Sequence, residues 1–206
     1  MSATGQPGSS YHHGDLPAAL VRATLEIVAE CGVHGFSVAE AARRTGVSPA
    51  APYRHFADRN TLLAAAADTI AHQLQAACRE AAAAARRPED RLAAVATAYV
   101  RSAARFQSCF DLLMDAELRS YRPELRESTR SLVDLQLPSA LALAEPQSAV
   151  ALLEALRCLS RGYAALLLDG SFGPPMEVCE SVAERAGRAA RSLASGYACQ
   201  DQAKSH

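Results

Sequence analysis

The sequence of 206 residues contains no tryptophan and a single lysine, Lys204, and only 5% of its residues are aromatic. It also lacks a charge-free apolar run of membrane-spanning length, because the most apolar stretch, residues 149–170, carries Glu154, Arg157 and Arg161. The N-terminal residues hold no apolar signal-peptide core. These absences argue against a membrane protein and predict a soluble, cytoplasmic chain.

Catalytic motifs are missing as well. The chain has no phosphate-binding loop, no G-x-S-x-G, no H-E-x-x-H and no G-x-G-x-x-G. The adjacent histidines His12 and His13 lie in a Gly/Ser-rich arm that makes a poor metal site. An enzyme is therefore the weakest of the functional hypotheses, and we expect no catalytic residue, no metal and no cofactor.

The six cysteines form no C-x-x-C pair, and most of them fall inside apolar helical patterns. In a reducing cytosol such cysteines are mostly small buried apolar residues. A redox sensor is the minor alternative.

What the chain does contain is alanine, within a hydrophobic share of 50%. Alanine is the strongest helix former, so the composition favours an all-α fold of close-packed helices. Residues 1–14 predict a flexible arm, Asp15 an N-cap and Gly32 the end of the first helix. About nine helices are expected; after the first they cover about 38–45, a short segment from 48, 58–87, 89–106, 108–119, 123–143, 147–169 and 175–197, with a kink or break at Pro138.

Two short capped helices joined by a tight turn predict a helix-turn-helix. Ser37 and Glu40 fit a capping box at the start of the first, and Gly46 supplies the turn. Ser48 caps the second helix, with Pro49 at its favoured first position.

The second helix has an unusual composition for a core helix. Pro49, Ala50 and Ala51 leave little bulk, so the backbone can approach base edges in a major groove and meet thymine methyl groups. Pro52 should tighten or distort this short helix rather than abolish it. Tyr53, Arg54 and His55 follow one turn later, where phosphate contacts are expected.

The local charge is basic, with Arg43, Arg44, Arg54 and Arg59 against Asp58, although the whole chain has a net charge of −1. A phosphate partner would explain Arg59 in the first turn of a helix, and Arg44 is a candidate guanine contact. Taken singly, Tyr53 could cap the small core, His55 could be a surface histidine, and Arg43 and Arg44 a solvated helix end.

The segment "SVAEAARRTGVSPAAPYRHFADRNTLL", with the preceding "AECGVHGFS", resembles the TetR family of bacterial transcriptional regulators over about residues 15–65. The resemblance implies an all-helical dimer whose first three helices bind DNA, with phosphate-contacting positions at Ser37, Ser48, Tyr53, His55 and Arg59. Two positions depart from the family pattern: Ala41 replaces a larger aliphatic residue and Arg59 the usual Lys. Arg161-Gly162 stands where one subgroup has His-Gly.

The predicted C-terminal helices carry apolar stripes that suit either burial within one subunit or a four-helix bundle between two subunits. The resemblance favours a homodimer, with these interface residues: Leu152, Leu156, Leu159, Tyr163, Leu166, Val182, Ala186, Ala189 and Leu193. A ligand pocket is expected among residues 89–170, with these wall candidates: Tyr99, Phe106, Phe110, Met114 and Tyr163. Each wall candidate could equally be ordinary core.

The sequence thus predicts a helix-turn-helix domain at 15–60 and a ligand-binding and dimerisation domain at 61–206. The expected function is a regulator, more plausibly a repressor, that an unknown small-molecule effector releases from double-stranded operator DNA. The alternatives are a helical adaptor between proteins without specific DNA binding and, less plausibly, a small-molecule enzyme.

Overall fold

The computed structural model describes residues 15–115, 117–121 and 124–204, and within this part the chain is helical without a strand. The predicted arm at 1–14 lies outside the described residues. The elements in chain order are α1 (Leu16–Gly35), α2 (Val38–Arg44), a 3₁₀ turn η1 (Pro52–Arg54), α3 (Arg59–Ala84), α4 (Pro88–Phe106), a second 3₁₀ turn η2 (Gln107–Phe110), α5 (Asp111–Met114), α6 (Leu118–Tyr121), α7 (Glu124–Leu141), α8 (Pro146–Leu168) and α9 (Pro175–Lys204).

The caps read from the sequence set the boundaries of the first helices. The Asp15 carboxylate accepts a hydrogen bond from the Ala18 amide at 3.3 Å, and Asp58 accepts one from the Thr61 amide at 2.7 Å. Each bond satisfies an amide that the helix leaves unpaired. Gly32 adopts φ +73°, so the regular part of α1 ends there as predicted and one further turn follows.

Helix α3 connects the N-terminal helices to the rest of the molecule. Its first half packs on α1 through Leu62, Leu63 and Ile70, and its second half packs on α4 through Leu74 and Cys78. This single helix of 26 residues therefore runs across the predicted domain boundary at 60/61.

Helix α4 lies at the centre of the larger part, packed against α3, α7, α8 and α9. Its most extensive partner is α9, which presents a row of fully buried alanines that includes Ala183, Ala186 and Ala190. Alanines on this face let the two backbones approach closely, which explains why so much of the hydrophobic content is alanine.

Three predicted elements of the larger, C-terminal part differ from the structure. The single helix expected at 108–119 is a 3₁₀ turn and two one-turn helices, because Gln107 has φ +44° and Asp115 has extended backbone. Helix α7 continues through Pro138 without a break. Helix α9 extends seven residues beyond the predicted end at 197.

In the described part of the chain, no helix combines the length and the apolar character that crossing a membrane requires.

Candidate nucleic-acid interface and ligand cavity

The turn after α2 is a Schellman motif. The Gly46 amide donates to the Arg43 carbonyl at 3.2 Å, and the Val47 amide donates to the Ala42 carbonyl at 3.0 Å. Gly46 has φ +71°, which a residue with a Cβ adopts only at a cost. Thr45, which is buried, adds a hydroxyl bond to the Ala41 carbonyl at 2.9 Å. The turn therefore holds the following segment, residues 48–56, at a fixed angle to α2.

The segment 48–56 is not the α-helix that the sequence predicted. The Ala51 amide donates to the Ser48 carbonyl, and a 3₁₀ turn covers Pro52–Arg54 before the Phe56 amide closes onto the Pro52 carbonyl at 2.9 Å. The reason is Pro52, which has no amide hydrogen to donate to the Ser48 carbonyl four residues earlier. The segment is tightened as predicted, but the prediction that a helix would survive Pro52 is wrong, because only a 3₁₀ turn remains.

The side chains of this segment divide between core and surface as expected. Pro52 and Phe56 are buried in the small core, whereas Ser48, Pro49 and Ala50 are exposed and Ala51 is half-buried. The next three side chains, Tyr53, Arg54 and His55, are exposed as well, and Tyr53 is 55% exposed. Tyr53 therefore does not cap the core, and a continuous row of small residues adjoins three hydrogen-bonding side chains.

The end of α2 carries an ion-pair network that the sequence did not reveal. Arg44 binds both carboxylate oxygens of Glu30 on α1, at 2.8 and 2.6 Å, and Glu40 at 2.9 Å. Arg43 binds Glu40 at 2.7 and 2.8 Å. Hydrogen bonds from the two guanidinium groups lower the pKa of Glu40 to about 2, and the bond from Arg44 lowers the pKa of Glu30.

This network corrects two predictions. The predicted capping box does not form, since Glu40 is engaged by the arginines and the Ser37 side chain makes no cap bond, although its backbone is extended as an N-cap requires. Arg43 and Arg44 are also not free cations. By contrast, Arg54 makes no ion pair with any residue in the described ranges.

Arg59, at the start of α3, contacts the backbone of the α1–α2 connection. Its Nη2 donates to the Val33 carbonyl at 2.5 Å and its Nε to the Phe36 carbonyl at 3.4 Å. The guanidinium carbon also lies 5.6 Å from the centre of the Phe36 ring. These contacts explain a cation in the first turn of α3 without a phosphate.

A cavity of about 670 Å³ lies between α4, α5 and α8. Three of the five predicted wall residues line it: Tyr99, Phe110 and Met114. The Tyr99 and Phe110 rings meet edge to face with their centres 5.6 Å apart. Burial raises the pKa of the Tyr99 hydroxyl to about 12.

The other two predicted wall residues lie elsewhere. Phe106 packs between the N-terminal core and the core of α3 and α4, and Tyr163 stacks on Phe172 at 6.0 Å on another side of α8. The charged members of the wall are Asp111, Arg161 and Asp169, none of which is among the predicted wall residues. The sequence pattern gave no indication that Arg161 and Asp169 line a cavity, apart from their place on the helix that was expected to border the pocket.

The predicted dimer stripe is mostly interior. Leu152, Leu156, Val182 and Ala186 are at most 1% exposed within the single chain. Leu159, Tyr163, Ala189 and Leu193 are half-buried, and only Leu166, at 44%, is exposed. The apolar periodicity therefore identified the core face of α8 and α9.

Comparison with known proteins explains the N-terminal geometry. Residues 20–66 match the family model for bacterial regulatory proteins, tetR family. This segment of the chain is therefore similar to the N-terminal part of that family. Over 56 residues the chain is 43% identical to the HTH-type transcriptional regulator BetI of Escherichia coli O139:H28, an alignment that covers 27% of this chain and 29% of BetI.

The rest of the chain resembles TetR-family structures in fold. A protein of unknown function from Rhodococcus sp. RHA1 is 28% identical with a TM-score of 0.70, covering 88% of this chain and 98% of that one. A regulatory protein in the tetR family from Rhodococcus RHA1 is 23% identical with a TM-score of 0.66, covering 88% and 97%. The helical arrangement over most of the chain is thus shared with solved structures, whereas the chain spans less than a third of the length of the curated relatives it matches.

Proposed function

We propose that this protein is a transcriptional regulator that binds double-stranded operator DNA in the cytoplasm and is released from it by a small molecule, and that it acts as a repressor. The observation that carries the proposal is the exposed face formed by residues 48–55 beside the Schellman turn after α2. The TetR-family match over residues 20–66 supports the same function. A catalytic role has no support in the motifs of the chain.

In this proposal the small residues face the bases and the polar residues face the backbone of the duplex. Pro49, Ala50 and Ala51 let the chain approach base edges and thymine methyl groups. Tyr53, Arg54 and His55 contact phosphates, which positions the protein without reading sequence. Because the segment is a turn and not a long helix, the contacts come from the turn itself and from the N-terminus of α2.

The remaining predicted DNA contacts differ in what binding requires of them. Ser37 and Ser48 are exposed and can donate to phosphate directly. Arg44 reaches a guanine only by leaving Glu30 and Glu40, and Arg59 reaches a phosphate only by leaving the Val33 carbonyl. We therefore assign the principal cationic contact to Arg54.

Selection of bound sequences from a randomised duplex library tests the proposal, followed by titration of the selected site across a salt series. Arg54→Ala should weaken all sequences about equally and lower the salt slope by roughly one unit. Ala50→Leu should abolish the preference for the selected site, because the larger side chain clashes in the groove. Arg130→Ala, at an exposed arginine of α7, is the matched control and should change neither quantity.

Each outcome of the selection separates the hypotheses. Failure to enrich any sequence would favour the helical adaptor. Enrichment that survives Ala50→Leu while Arg54→Ala changes the base preference would contradict the assigned face.

We further propose a homodimer that uses the solvent-facing side of α8 and α9. The α8 side presents a stripe with helical spacing: Ala151, Ala155, Cys158, Gly162 and Leu166. Helix α9 carries an exposed stripe with the same spacing: Ser181, Arg185, Arg188, Ser192 and Gly196.

The two glycines support this interface. A Cβ added to Gly162 or Gly196 would meet nothing within 4 Å in the protomer, so packing within the chain does not require glycine at either position. Glycine inside a helix costs about 1 kcal/mol relative to alanine, and a second helix that approaches closely is a reason to keep it. Two helices from each of two copies would form a four-helix bundle.

Light scattering tests the interface. Gly162→Leu and Leu166→Glu should each yield monomers, because both changes block close approach without disturbing the protomer. Val150→Glu is the control, since Val150 is 54% exposed on the same helix but lies off the stripe. Unchanged dimers in both stripe variants would refute this interface.

Release by ligand follows from linkage. A ligand that binds the cavity better in a dimer with wrongly spaced DNA-binding segments must weaken DNA binding by the same factor.

A further inference from the structure

The cavity between α4, α5 and α8 offers an apolar chamber with one polar corner. Phe110 and Ala164 are at most 3% exposed, and Leu168 is half-buried beside them. A volume of about 670 Å³ lies within the range of small-molecule sites. The chamber therefore suits a ligand with a substantial apolar body.

Arg161 supplies the cation of this corner. Its Nη2 donates to the Met114 sulfur at 2.7 Å, and no carboxylate in the described ranges lies within ion-pair distance of it. A thioether is a weak acceptor, and a guanidinium has five donor hydrogens in a planar fork. Most of the hydrogen-bonding capacity of Arg161 is therefore available to an oxyanion.

Tyr99 supplies a neutral donor in the same neighbourhood. Its ring is 8% exposed, and burial keeps its hydroxyl protonated by raising its pKa to about 12. Tyr99 on α4 and Arg161 on α8 both line this cavity. A carboxylate seated between them would accept from both.

Two carboxylates in the same wall limit the charge of the ligand. Asp169 accepts from the Ser171 amide at 2.8 Å, and its hydrogen bonds to Ser171 lower its pKa and keep it ionised. Asp111 is exposed in the first turn of α5. A second negative charge on a ligand would meet one of these groups and be repelled.

Resting on the proposed function, we infer that the effector is an apolar monoanion whose carboxylate binds Arg161 and Tyr99 while its body fills the chamber against Phe110 and Leu168. The charge-assisted hydrogen bonds from the Arg161 guanidinium orient the ligand, and the apolar wall of the chamber supplies the surface area that the ligand buries.

Isothermal titration of DNA-free protein with three probes that share one ring system tests this inference. The probes are naphthalene-1-acetate, naphthalene-1-acetamide and 1-naphthylmethylammonium, which are anionic, neutral and cationic. The anion should bind at least about tenfold more tightly than the amide, since a charge-assisted bond is worth roughly 1.5–3 kcal/mol. The cation should bind more weakly than the amide.

Variants locate the preference. Arg161→Gln should remove the advantage of the anion over the amide, Arg161→Lys should keep part of it, and Tyr99→Phe should reduce it. Arg157→Gln is the matched control, because Arg157 is an exposed arginine one turn earlier on α8 that does not line the cavity. Circular dichroism of each variant verifies folding.

The inference is overturned if the cation binds more tightly than the anion, if no probe binds, or if Arg161→Gln leaves the preference intact. Because these titrations contain no DNA, their result is independent of the proposed function. Specific DNA binding without an anion preference would refute only the inferred ligand class. An anion preference without DNA binding would refute only the proposed role as a regulator.

Discussion

Gly187 lies where α9 comes closest to α4, and replacing it with alanine tests that contact. A Cβ at Gly187 would overlap the Thr97 hydroxyl oxygen and lie 3.3 Å from the Ala93 carbonyl oxygen. Thr97 cannot easily move, because it is β-branched and its hydroxyl donates to Ala93 at 3.0 Å. The new methyl group therefore has to push the two helices apart.

The magnitude is a balance of two effects. Overpacking a well-packed contact costs about 1–3 kcal/mol, whereas Gly to Ala in a helix interior gains about 1 kcal/mol. Because the Cβ overlaps the Thr97 oxygen outright, the cost falls in the upper part of this range, about 2–3 kcal/mol, and we expect Gly187→Ala to lower the free energy of unfolding by about 1–2 kcal/mol. In a protein of this size, that corresponds to a fall in Tm of roughly 2–8 °C.

A second variant isolates the cause. In a Thr97→Ala background the overlap disappears, and Gly187→Ala should then be neutral or stabilising by up to about 1 kcal/mol. Urea unfolding, monitored by helical circular dichroism, gives the stabilities of the wild type, the two single variants and the double variant, which together form a double-mutant cycle. Additive effects of the two substitutions, or a Gly187→Ala protein more stable than wild type, would show that α4 and α9 are not in the close contact described.

Two further predictions concern titratable groups. Because the pKa of Glu40 is lowered to about 2, its contribution to stability is present above the ordinary glutamate value of 4.5 and is lost as pH falls toward 2. In urea unfolding, the free energies of unfolding of wild type and Glu40→Gln should converge over that pH range. A difference between them that stays constant with pH would contradict this prediction. Cys78 is fully buried with its pKa raised to about 12, whereas Cys31 is exposed and lies off the proposed dimer interface. A thiol reagent should therefore label Cys31 and leave Cys78 unmodified in native protein. A cysteine-free variant should keep its DNA binding; loss of peroxide-induced release in that variant, if wild type showed such release, would establish redox sensing.

Local signals predicted the local structure well. Asp15 and Asp58 cap their helices, and Gly32 and Gly46 adopt positive φ, because each effect depends only on neighbouring residues. The sequence predicts that Pro52 distorts the short helix. The extent of that distortion depends on whether the remaining residues of so short a helix can compensate for the missing hydrogen bond.

Predictions that needed a partner in space were less secure. Glu40 fits a capping box in sequence, yet Arg43 and Arg44 offer charged donors that compete better for its carboxylate. The apolar stripe through Leu152 and Leu156 marks a buried face without saying which helix covers it, and the cover is this chain's own core. For the same reason periodicity could not separate Tyr99, which lines the cavity, from Tyr163, which does not.

The continuity of α3 has a mechanical consequence. Its 26 residues form a rod of roughly 39 Å at about 1.5 Å per residue. One end is fastened at Arg59 to the Val33 carbonyl, and the other half lies against α4, which carries Tyr99. A rod without a joint cannot absorb a displacement internally, so a tilt of about 5° at the cavity end swings the far end by roughly 3 Å. That distance is comparable to the length of a hydrogen bond. Under the proposed function, a ligand that tilts α3 by this amount would take a phosphate contact out of reach.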